Sequence, residues 1–449
     1  MSNLEYIQRD LAVVWHPCTQ MKDHETLPMI PIRRGEGVFL EDFEGKRYID
    51  AISSWWVNLF GHANPRINAA LRAQLDSLEH VMLAGFTHAP VIELSERLVK
   101  LAPQGLTRCF YADNGASAIE IALKMSFHYW RNCEQPKKTK FLTLENSYHG
   151  ETLGALAVGN VALFKDTYAP LLMETLTAPS PAGTDRESGE SLEAYTYRKF
   201  QALEIMLAAH ADELAAVIVE PLVQGAAGMR MYPPIYLQWL RAACDKYQVH
   251  LIADEIAVGF GRTGTMFACE QAGIRPDLLC LSKGLTGGYL PLSVVISTEQ
   301  IYQAFYADYQ KLSGFLHSHS YTGNALACRA ALATLDIFES DNVIENNQVL
   351  SAAMRTSTAH LQDHPHVLEV RQQGMILAIE LTKNKATREL YPWQERRGLR
   401  MYQYALQHGA LLRPMGGVLY FMPPYVITPE QIQQLAEIAT GAIDAATQD

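Results

Sequence analysis

The chain has 449 residues, of which 48% are hydrophobic and 19% charged, and its net charge is −11. This length predicts two or three domains, and an acidic balance with dispersed basic residues argues against nucleic acid or a membrane surface as a partner. No apolar stretch approaches the roughly 20 residues of a membrane span, and the N-terminus lacks the basic start and apolar core of a signal peptide, so the cytoplasm is the expected compartment.

The first predicted element is a β-hairpin, formed by segments 38–43 and 46–49. Strand-like and helix-like segments then alternate, which predicts an α/β fold with a mainly parallel sheet. The expected elements are strand 108–111, helix 116–130, strand 140–144, a helix from about residue 151, strand 214–219, helix 236–247, and strands 249–253, 277–282 and 292–296. Helix 323–340 follows, and short strands such as 374–381 and 418–422 come after it.

The change of pattern at both ends of the chain predicts the domain organisation. Residues 63–322, where strands and helices alternate, are expected to form one large domain. Residues 1–62 and 323–449 contain a hairpin and short mixed elements, and we expect them to form a smaller α+β domain together.

Two predicted strands end in side chains of opposite charge. The run 249–253 leads into Asp254, and the run 277–282 leads into Lys283. Open parallel sheets bind ligands at the carboxyl ends of their strands. A carboxylate and an amine at two such ends suit pyridoxal phosphate, whose aldehyde needs a lysine and whose ring nitrogen needs an anionic partner. Two charges that simply face solvent are the plainer alternative.

Two other strand ends carry polar or aromatic residues. Segment 113–117 joins a strand to a helix, and free amides at a helix N-terminus bind phosphate well. Gly115 lets the backbone approach such a ligand, although Asn114 acting as an ordinary N-cap explains the motif equally simply. Tyr148 follows strand 140–144 and is placed to stack on a planar heterocycle or only to close a loop.

Segment 259–264 is a literal G-x-G-x-x-G motif, which invites a dinucleotide-binding interpretation. That interpretation requires a long helix opening at the glycines, but the following residues are few and contain glycine again. Asp254 and Glu255 would also repel a pyrophosphate at this turn. We therefore interpret the glycines as a tight loop behind Asp254.

Segment 317–324 is rich in histidine and hydroxyl residues. His317 and His319 alone do not make a metal site, because no third ligand lies nearby, and no metal is expected. A second contact to an anion through Ser320 or Thr322 is the more reasonable interpretation.

Three motifs together resemble the signature of the class III pyridoxal-phosphate-dependent aminotransferases. They are Asp254-Glu255-Ile256-x-x-Gly259-Phe260-Gly261-Arg262-Thr263-Gly264, Ser282-Lys283-Gly284 and Gly287-Gly288. The resemblance extends over essentially the whole chain and implies the fold type I architecture of these transferases.

A closer resemblance is to the branch of this family that acts in biotin biosynthesis. The segments that carry it are Trp15-His16-Pro17, Ser53-Ser54-Trp55-Trp56, Tyr148-His149-Gly150, residues 224–231, Arg413-Pro414 and Met422-Pro423-Pro424-Tyr425. This resemblance implies transfer of an amino group from S-adenosylmethionine or lysine to 8-amino-7-oxononanoate, giving 7,8-diaminononanoate by a ping-pong mechanism.

The resemblance also implies roles for individual residues. Lys283 would form the Schiff base, Asp254 would pair with the pyridine nitrogen, and these two with Tyr148 would be the catalytic residues. Ile256 and Tyr148 would cover the two faces of the cofactor ring. Gly115 and Ala116 would bind its phosphate. His319 and Ser320 would also contact the cofactor, with Ser320 supplied by a neighbouring subunit. The residues expected to contact substrate are Trp55, Tyr148, Lys283, Ser318 and Arg413.

The chain departs from the family pattern at three places. Cys18 stands where well-studied enzymes of this kind can carry a tyrosine that helps to recognise the amino-oxo acid. Ala116 stands where a serine can occur in the phosphate turn. Ser318-His319-Ser320 replaces a Gly-Pro-Thr sequence, which affects the amino-donor side.

Other functions remain open from the sequence alone. A class III transaminase acting on an ω-amino acid or a diamine would share the motifs, and so would a pyridoxal phosphate aminomutase or decarboxylase. A non-catalytic protein of the same fold is less compatible with an intact Lys283, Asp254 and Tyr148. The resemblance further implies a homodimer with shared active sites, a form that two-fold symmetry makes common.

Overall fold

The computed structural model of the protein describes residues 1–27, 29–182, 186–187 and 189–448. The strands of this part of the chain are β1 (Ile32–Glu36), β2 (Phe39–Asp42), β3 (Arg47–Asp50), β4 (Leu106–Ala112), β5 (Lys140–Leu144), β6 (Leu176–Ala178), β7 (Leu214–Val219), β8 (Val223–Gln224), β9 (Arg230–Met231), β10 (His250–Asp254), β11 (Leu278–Leu281), β12 (Ser293–Thr298), β13 (Val367–Gln373), β14 (Ile376–Leu381), β15 (Ala410–Leu411) and β16 (Val418–Phe421).

The α-helical segments of the same ranges are α1 (Asn3–Leu11), α2 (Ser53–Trp56), α3 (Pro65–Leu75), α4 (Ala89–Leu101), α5 (Gly115–Asn132), α6 (Leu153–Ala157), α7 (Ala162–Lys165), α8 (Leu192–His210), α9 (Ile235–Tyr247), α10 (Cys269–Ala272), α11 (Glu299–Phe305), α12 (Ala325–Ser340), α13 (Val343–Thr358), α14 (Arg397–Gln407) and α15 (Pro429–Thr447). None of these helices is both long enough and apolar enough to cross a bilayer.

A seven-stranded sheet forms the centre of the fold, with strand order β4-β12-β11-β10-β7-β5-β6. Strand β12 runs antiparallel to both of its neighbours, while the pairs from β11 to β6 are parallel. Every residue of β7, β10, β11 and β12 is buried, as expected for apolar strands covered by helices on both faces. The predicted α/β fold with a mainly parallel sheet is therefore correct.

The register of the sheet positions the two charged strand ends side by side. Asp254, the last residue of β10, pairs with Cys280 of β11, and Lys283 follows two residues after that strand ends. Helix α5 begins at the end of β4, with the Asn114 side chain accepting from the Ser117 amide at 3.0 Å. These elements bring Lys283, Asp254 and the N-terminus of α5 to the same end of the sheet.

Two smaller sheets are built from the ends of the chain. The hairpin β2–β3 is antiparallel as predicted, and β15 joins it by pairing in parallel with β3. Strands β13, β14 and β16 form a separate antiparallel sheet. Because β3 and β15 share a sheet, we propose that residues 1–62 and 323–449 form one small domain beside a large domain of residues 63–322.

Most predicted elements agree with the structure, and β5 and β7 have the predicted bounds. The helix expected from about residue 151 begins only at Leu153 and ends at Ala157. Two local features explain why this helix begins later than expected. The Tyr148 amide donates to the Glu220 carboxylate, and Gly150 has a φ of 121°, so residues 148–152 form an irregular loop.

Candidate active site

A large cleft of about 2220 Å³ is lined by Lys283, which follows the carboxyl end of β11, and by residues from both ends of the chain. Five of the residues predicted from the sequence line it, although they come from five separate parts of the chain; they are Cys18, Trp55, Tyr148, Lys283 and Arg413. The cleft is large enough for a drug-sized cofactor together with a substrate.

Lys283 lies at the floor of this cleft. Its backbone has a φ of 45°, and its Nζ lies 4.2 Å from the centroid of the Trp56 ring, a cation–π contact. Nζ has no hydrogen-bond acceptor in the part of the chain that the structure describes. Burial lowers the pKa of this amine from 10.5 to about 8, and the carboxylates of Asp254 and Glu220 oppose the shift. A substantial fraction of Lys283 is therefore neutral near pH 8, as a nucleophilic amine must be.

Asp254 is buried and held by two hydrogen bonds. Its Oδ1 accepts from the Ile256 amide at 3.1 Å, and its Oδ2 accepts from His149 Nδ1 at 2.7 Å. Since a carboxylate only accepts, His149 carries its proton on Nδ1 in this contact. Nε2 of His149 is buried and has no partner among the described residues. The aspartate is thus fixed in orientation at the end of β10.

Glu220 is a second buried carboxylate of this region, directly after β7. Its Oε2 accepts from the Tyr148 amide and its Oε1 from the Gly225 amide, both at 2.9 Å. Burial raises its pKa to about 7, and the nearby Asp254 charge acts in the same direction. Glu220 therefore joins two loops that form walls of the cleft.

Tyr148 presents its phenol towards the cleft from the loop that Glu220 holds. Its hydroxyl donates to Glu151 Oε1 at 2.9 Å, and its ring lies 5.4 Å from that of Phe164. Burial, followed by the charge of Glu151, raises the pKa of Tyr148 above its ordinary value, so the phenol stays protonated. The ring is available to stack on a planar ligand.

The N-terminus of α5 has the features of an anion site. The helix is 18 residues long, and among the described residues the amides of Gly115 and Ala116 have no acceptor. A Cβ added to Gly115 would lie 2.9 Å from Cγ2 of Ile256, so only glycine allows this close approach. Two free amides beside the buried Asp254 and the unpartnered amine of Lys283 fit a phosphorylated pyridine aldehyde. The residues present therefore suit pyridoxal phosphate.

Segment α2 (Ser53–Trp56) is a left-handed turn in which all four residues have φ between 46° and 75°. Each non-glycine residue in this left-handed conformation costs roughly 1–2 kcal/mol of conformational free energy. The turn places Trp55 in the cleft, where the Arg413 guanidinium lies 4.9 Å from its ring centroid. Trp56 is buried, and its Nε1 donates to the Tyr420 hydroxyl at 3.0 Å.

Arg413 and Cys18 meet at the mouth of the cleft. Nη2 of Arg413 donates to the Cys18 carbonyl at 3.4 Å, and both residues are exposed. Arg413 has no carboxylate partner among the described residues. An arginine that is free in this way suits the carboxylate of a ligand.

Seven predicted site residues are not among those that line this cleft, namely Gly115, Ala116, Asp254, Ile256, Ser318, His319 and Ser320. His319 Nδ1 lies 3.3 Å from Asp113 Oδ2, and His80 Nε2 donates to the Ser320 carbonyl at 2.8 Å. The side chains of Ser318 and Ser320 are exposed. A role for them at the cofactor depends on a second subunit.

Three residues of the site received no role from the sequence, namely Trp56, His149 and Glu220. For Glu220 a signal was present, because it follows the buried strand β7 just as Asp254 ends β10. Trp56 and His149 stand inside motifs that carried the family resemblance. Their contacts with Lys283 and Asp254 involve residues more than 100 positions away, which no local pattern indicates.

Comparison with known proteins gives matches over nearly the whole chain. The family described as aminotransferase class III matches residues 20–443. The adenosylmethionine-8-amino-7-oxononanoate aminotransferase of Helicobacter pylori is 49% identical over 430 residues, which cover 95% of this chain and 94% of that protein. The enzyme of the same name from Geobacter sulfurreducens is 43% identical, with coverage of 98% and 97%.

Solved structures agree with these matches. The crystal structure of the adenosylmethionine-8-amino-7-oxononanoate aminotransferase of Methanocaldococcus jannaschii has a TM-score of 0.93, with 39% identity and 99% of both chains covered. An omega transaminase from Pseudomonas jessenii, solved in complex with PMP, has a TM-score of 0.94, with 30% identity and 98% of both chains covered. The predicted fold type and cofactor are thereby confirmed, and the chain belongs to the class III aminotransferases, which are pyridoxal-phosphate-dependent enzymes.

Proposed function

We propose that the protein transfers an amino group from S-adenosylmethionine or lysine to 8-amino-7-oxononanoate, giving 7,8-diaminononanoate for biotin biosynthesis. The observation that carries this proposal is one cleft that contains Lys283, with its lowered pKa, and Arg413, which lacks a carboxylate partner among the described residues. The names of the full-length relatives support the same substrate. The small-molecule substrates would enter through the open mouth of the cleft.

Pyridoxal phosphate, when bound, supplies an electron sink that stabilises negative charge at the donor's Cα. Lys283 Nζ would then act as the acid–base group that moves a proton between the donor's Cα and the cofactor's C4′. Its pKa of about 8 suits this exchange, because efficient proton transfer requires a pKa near the working pH. Asp254, anchored by His149, keeps the pyridine nitrogen protonated, since a buried carboxylate favours the charged form of its partner.

The other proposed contacts involve the cofactor's phosphate and ring and the substrate's carboxylate. Gly115 and Ala116 would hold the phosphate with their free amides, and Ile256 and Tyr148 would cover the two ring faces. Arg413, whose guanidinium lies 4.9 Å from the centroid of the Trp55 ring, would pair with the substrate carboxylate. Cys18 would lie near the carboxylate end of the substrate, because Arg413 donates a hydrogen bond to the Cys18 carbonyl.

The decisive experiment incubates the purified enzyme with 8-amino-7-oxononanoate and each donor separately, and detects 7,8-diaminononanoate by mass spectrometry. We expect product with at least one donor, together with the oxo compound derived from that donor. The Lys283→Ala variant should make no product and should lose the visible absorbance of lysine-bound cofactor. Release of carbon dioxide, or a rearranged donor without an oxo co-product, would instead indicate a decarboxylase or an aminomutase.

A second candidate is an ω-amino acid or diamine transaminase. It is favoured by the structural likeness to omega transaminases, which have TM-scores of 0.94 at about 30% identity. A panel of ω-amino acids, diamines and simple ketones, assayed beside 8-amino-7-oxononanoate, separates the two. A higher kcat/KM for a simple ketone than for the amino-oxo acid would favour this second function.

We also propose a homodimer in which Ser318, His319 and Ser320 complete the partner's cofactor site. Large exposed hydrophobic side chains on this segment and on residues 82–86, which lie close to it through the contact of His80 with Tyr321, support an interface; they are Met82, Phe86, Leu316 and Tyr321. Mixing two defective variants, Lys283→Ala and Ser320→Ala, tests it. Refolded heterodimers should regain activity at one site, because that site then has both native residues. No gain over the unmixed variants, or a monomer by light scattering, would contradict the proposal.

The cytoplasm is the compartment that we propose for this reaction, because its substrates are metabolites of the cell interior. Fractionation of cells that express the tagged protein would test this. Recovery of the activity outside the cytoplasmic fraction would overturn it.

A further inference from the structure

The left-handed turn Ser53–Trp56 contains no glycine, although left-handed backbone favours that residue. All four of its residues have positive φ, and Ser54 and Trp55 have ψ of 52° and 46°. Such a conformation persists only where surrounding contacts enforce it. The surroundings of the turn therefore decide where its two indoles lie.

Asp50 accepts two hydrogen bonds from the turn, both from Ser54. It is fully buried at the end of β3, and its Oδ1 accepts from the Ser54 amide at 2.9 Å. Its Oδ2 accepts from the Ser54 hydroxyl at 2.7 Å and from His62 Nε2 at 3.0 Å. Both oxygens thus bind the second residue of the turn, and His62 fixes the carboxylate from the other side.

Trp56 has restraints of its own, which Trp55 lacks. The Trp56 indole donates to Tyr420, and a Cβ added to Gly225 would lie 3.2 Å from its ring. Trp55 has 43% of its surface exposed, and the only ring contact of its indole in the described structure is with Arg413. The position of Trp55 therefore depends mainly on the backbone of the turn.

We propose that Asp50 is a positioning residue, which holds Trp55 and with it the Arg413 guanidinium in the cleft by locking the left-handed turn through Ser54. This inference rests on the proposed function only for the identity of the substrate whose carboxylate Arg413 receives. Asp50 is not among the residues that line the cleft. It acts on specificity through the indole that supports the arginine.

Three variants test this inference. Asp50→Ala removes both hydrogen bonds between the Asp50 side chain and the turn. Asp50→Asn keeps an acceptor for the Ser54 amide and should therefore retain part of the native position of Trp55. Ser54→Gly removes the hydroxyl contact but relieves the backbone, so it should fold even if Asp50→Ala does not. Asp277→Ala is the matched control, because Asp277 also accepts from a backbone amide and from a basic side chain, that of Arg241, but has no hydrogen bond with the turn among the described residues.

The first measurement uses the enzyme without substrate, labelled with 5-fluorotryptophan. The ¹⁹F resonance of Trp55, assigned with Trp55→Phe, should shift or broaden in Asp50→Ala and Ser54→Gly and should not change in Asp277→Ala. The second measurement is steady-state kinetics. The KM for the amino-oxo acid should rise about tenfold with little change in kcat, as expected when a binding contact is lost.

An unchanged Trp55 resonance and an unchanged KM in the folded variants would overturn the inference. A fall in kcat and thermal stability without a change at Trp55 would mean that Asp50 is only structural, and would overturn it as well. If the wild-type enzyme does not accept 8-amino-7-oxononanoate, the proposed substrate is wrong. The ¹⁹F spectra still decide the role of Asp50 in that case.

Discussion

Replacement of Lys283 by methionine should stabilise the enzyme without its cofactor. The amine is held in the cleft with no hydrogen-bond acceptor among the described residues, and its pKa falls from 10.5 to about 8. At 1.36 kcal/mol per pKa unit, keeping this lysine charged lowers the free energy of unfolding by about 3 kcal/mol. Its cation–π contact with Trp56 offsets about 1 kcal/mol of that cost. Methionine has a similar length and no charge, so Lys283→Met should add about 2 kcal/mol at neutral pH.

The stability gained by Lys283→Met should decrease as the pH rises. The pKa of Lys283 is lower in the folded than in the unfolded state, so folding releases a proton. The cost of the charge is complete below pH 8 and disappears as the pH rises from about 8 to 10.5. The advantage of Lys283→Met should therefore shrink from about 2 kcal/mol near pH 7.5 to about 1 kcal/mol or less near pH 9.5.

Urea unfolding of the cofactor-free proteins, at equal concentration and at both pH values, measures this difference. Thermal melting is less suitable, because a chain of this length shifts by only about 1 °C per kcal/mol. Lys138→Met is the contrasting variant, since Lys138 Nζ donates to three backbone carbonyls and its loss should destabilise the protein. If Lys283→Met is no more stable than the wild type, or its advantage does not change with pH, the burial argument is refuted.

Three further substitutions test the other parts of the site. Asp254→Asn should still bind the cofactor but slow turnover by at least about 100-fold, roughly 3 kcal/mol, because a neutral amide cannot keep the ring nitrogen protonated; near-normal rates in stopped-flow assays would contradict this role. Gly115→Ala should weaken cofactor binding in equilibrium dialysis, because its Cβ would press on Ile256 at 2.9 Å and overpacking costs about 1–3 kcal/mol; unchanged affinity would argue against a phosphate site there. Arg413→Lys should raise the KM for the carboxylate substrate by about tenfold or more, because lysine lacks the planar fork, and an unchanged KM would exclude Arg413 from substrate binding.

The central sheet and its two charged strand ends are predictable from the pattern of residues along the chain. Apolar runs such as those of β7 and β10 predict buried strands of an α/β sheet, because they are short, lack alternation and stand between helix-like segments. In a parallel sheet, residues that follow such strands lie at one edge, which predicts Asp254 and Lys283 at the same edge. The direct pairing of β10 with β11 is a property of the folded chain.

The walls of the cleft are held by contacts between distant segments, which exist only in the folded chain. Glu220 binds the amide of Tyr148 across 72 positions, and Arg413 meets Cys18 across 395. The sequence Ser53-Ser54-Trp55-Trp56 contains no glycine to indicate positive φ, and its left-handed turn exists because Asp50 and its neighbours enforce it. Contacts between distant segments arise from packing of the whole chain, so no local pattern of residues predicts them.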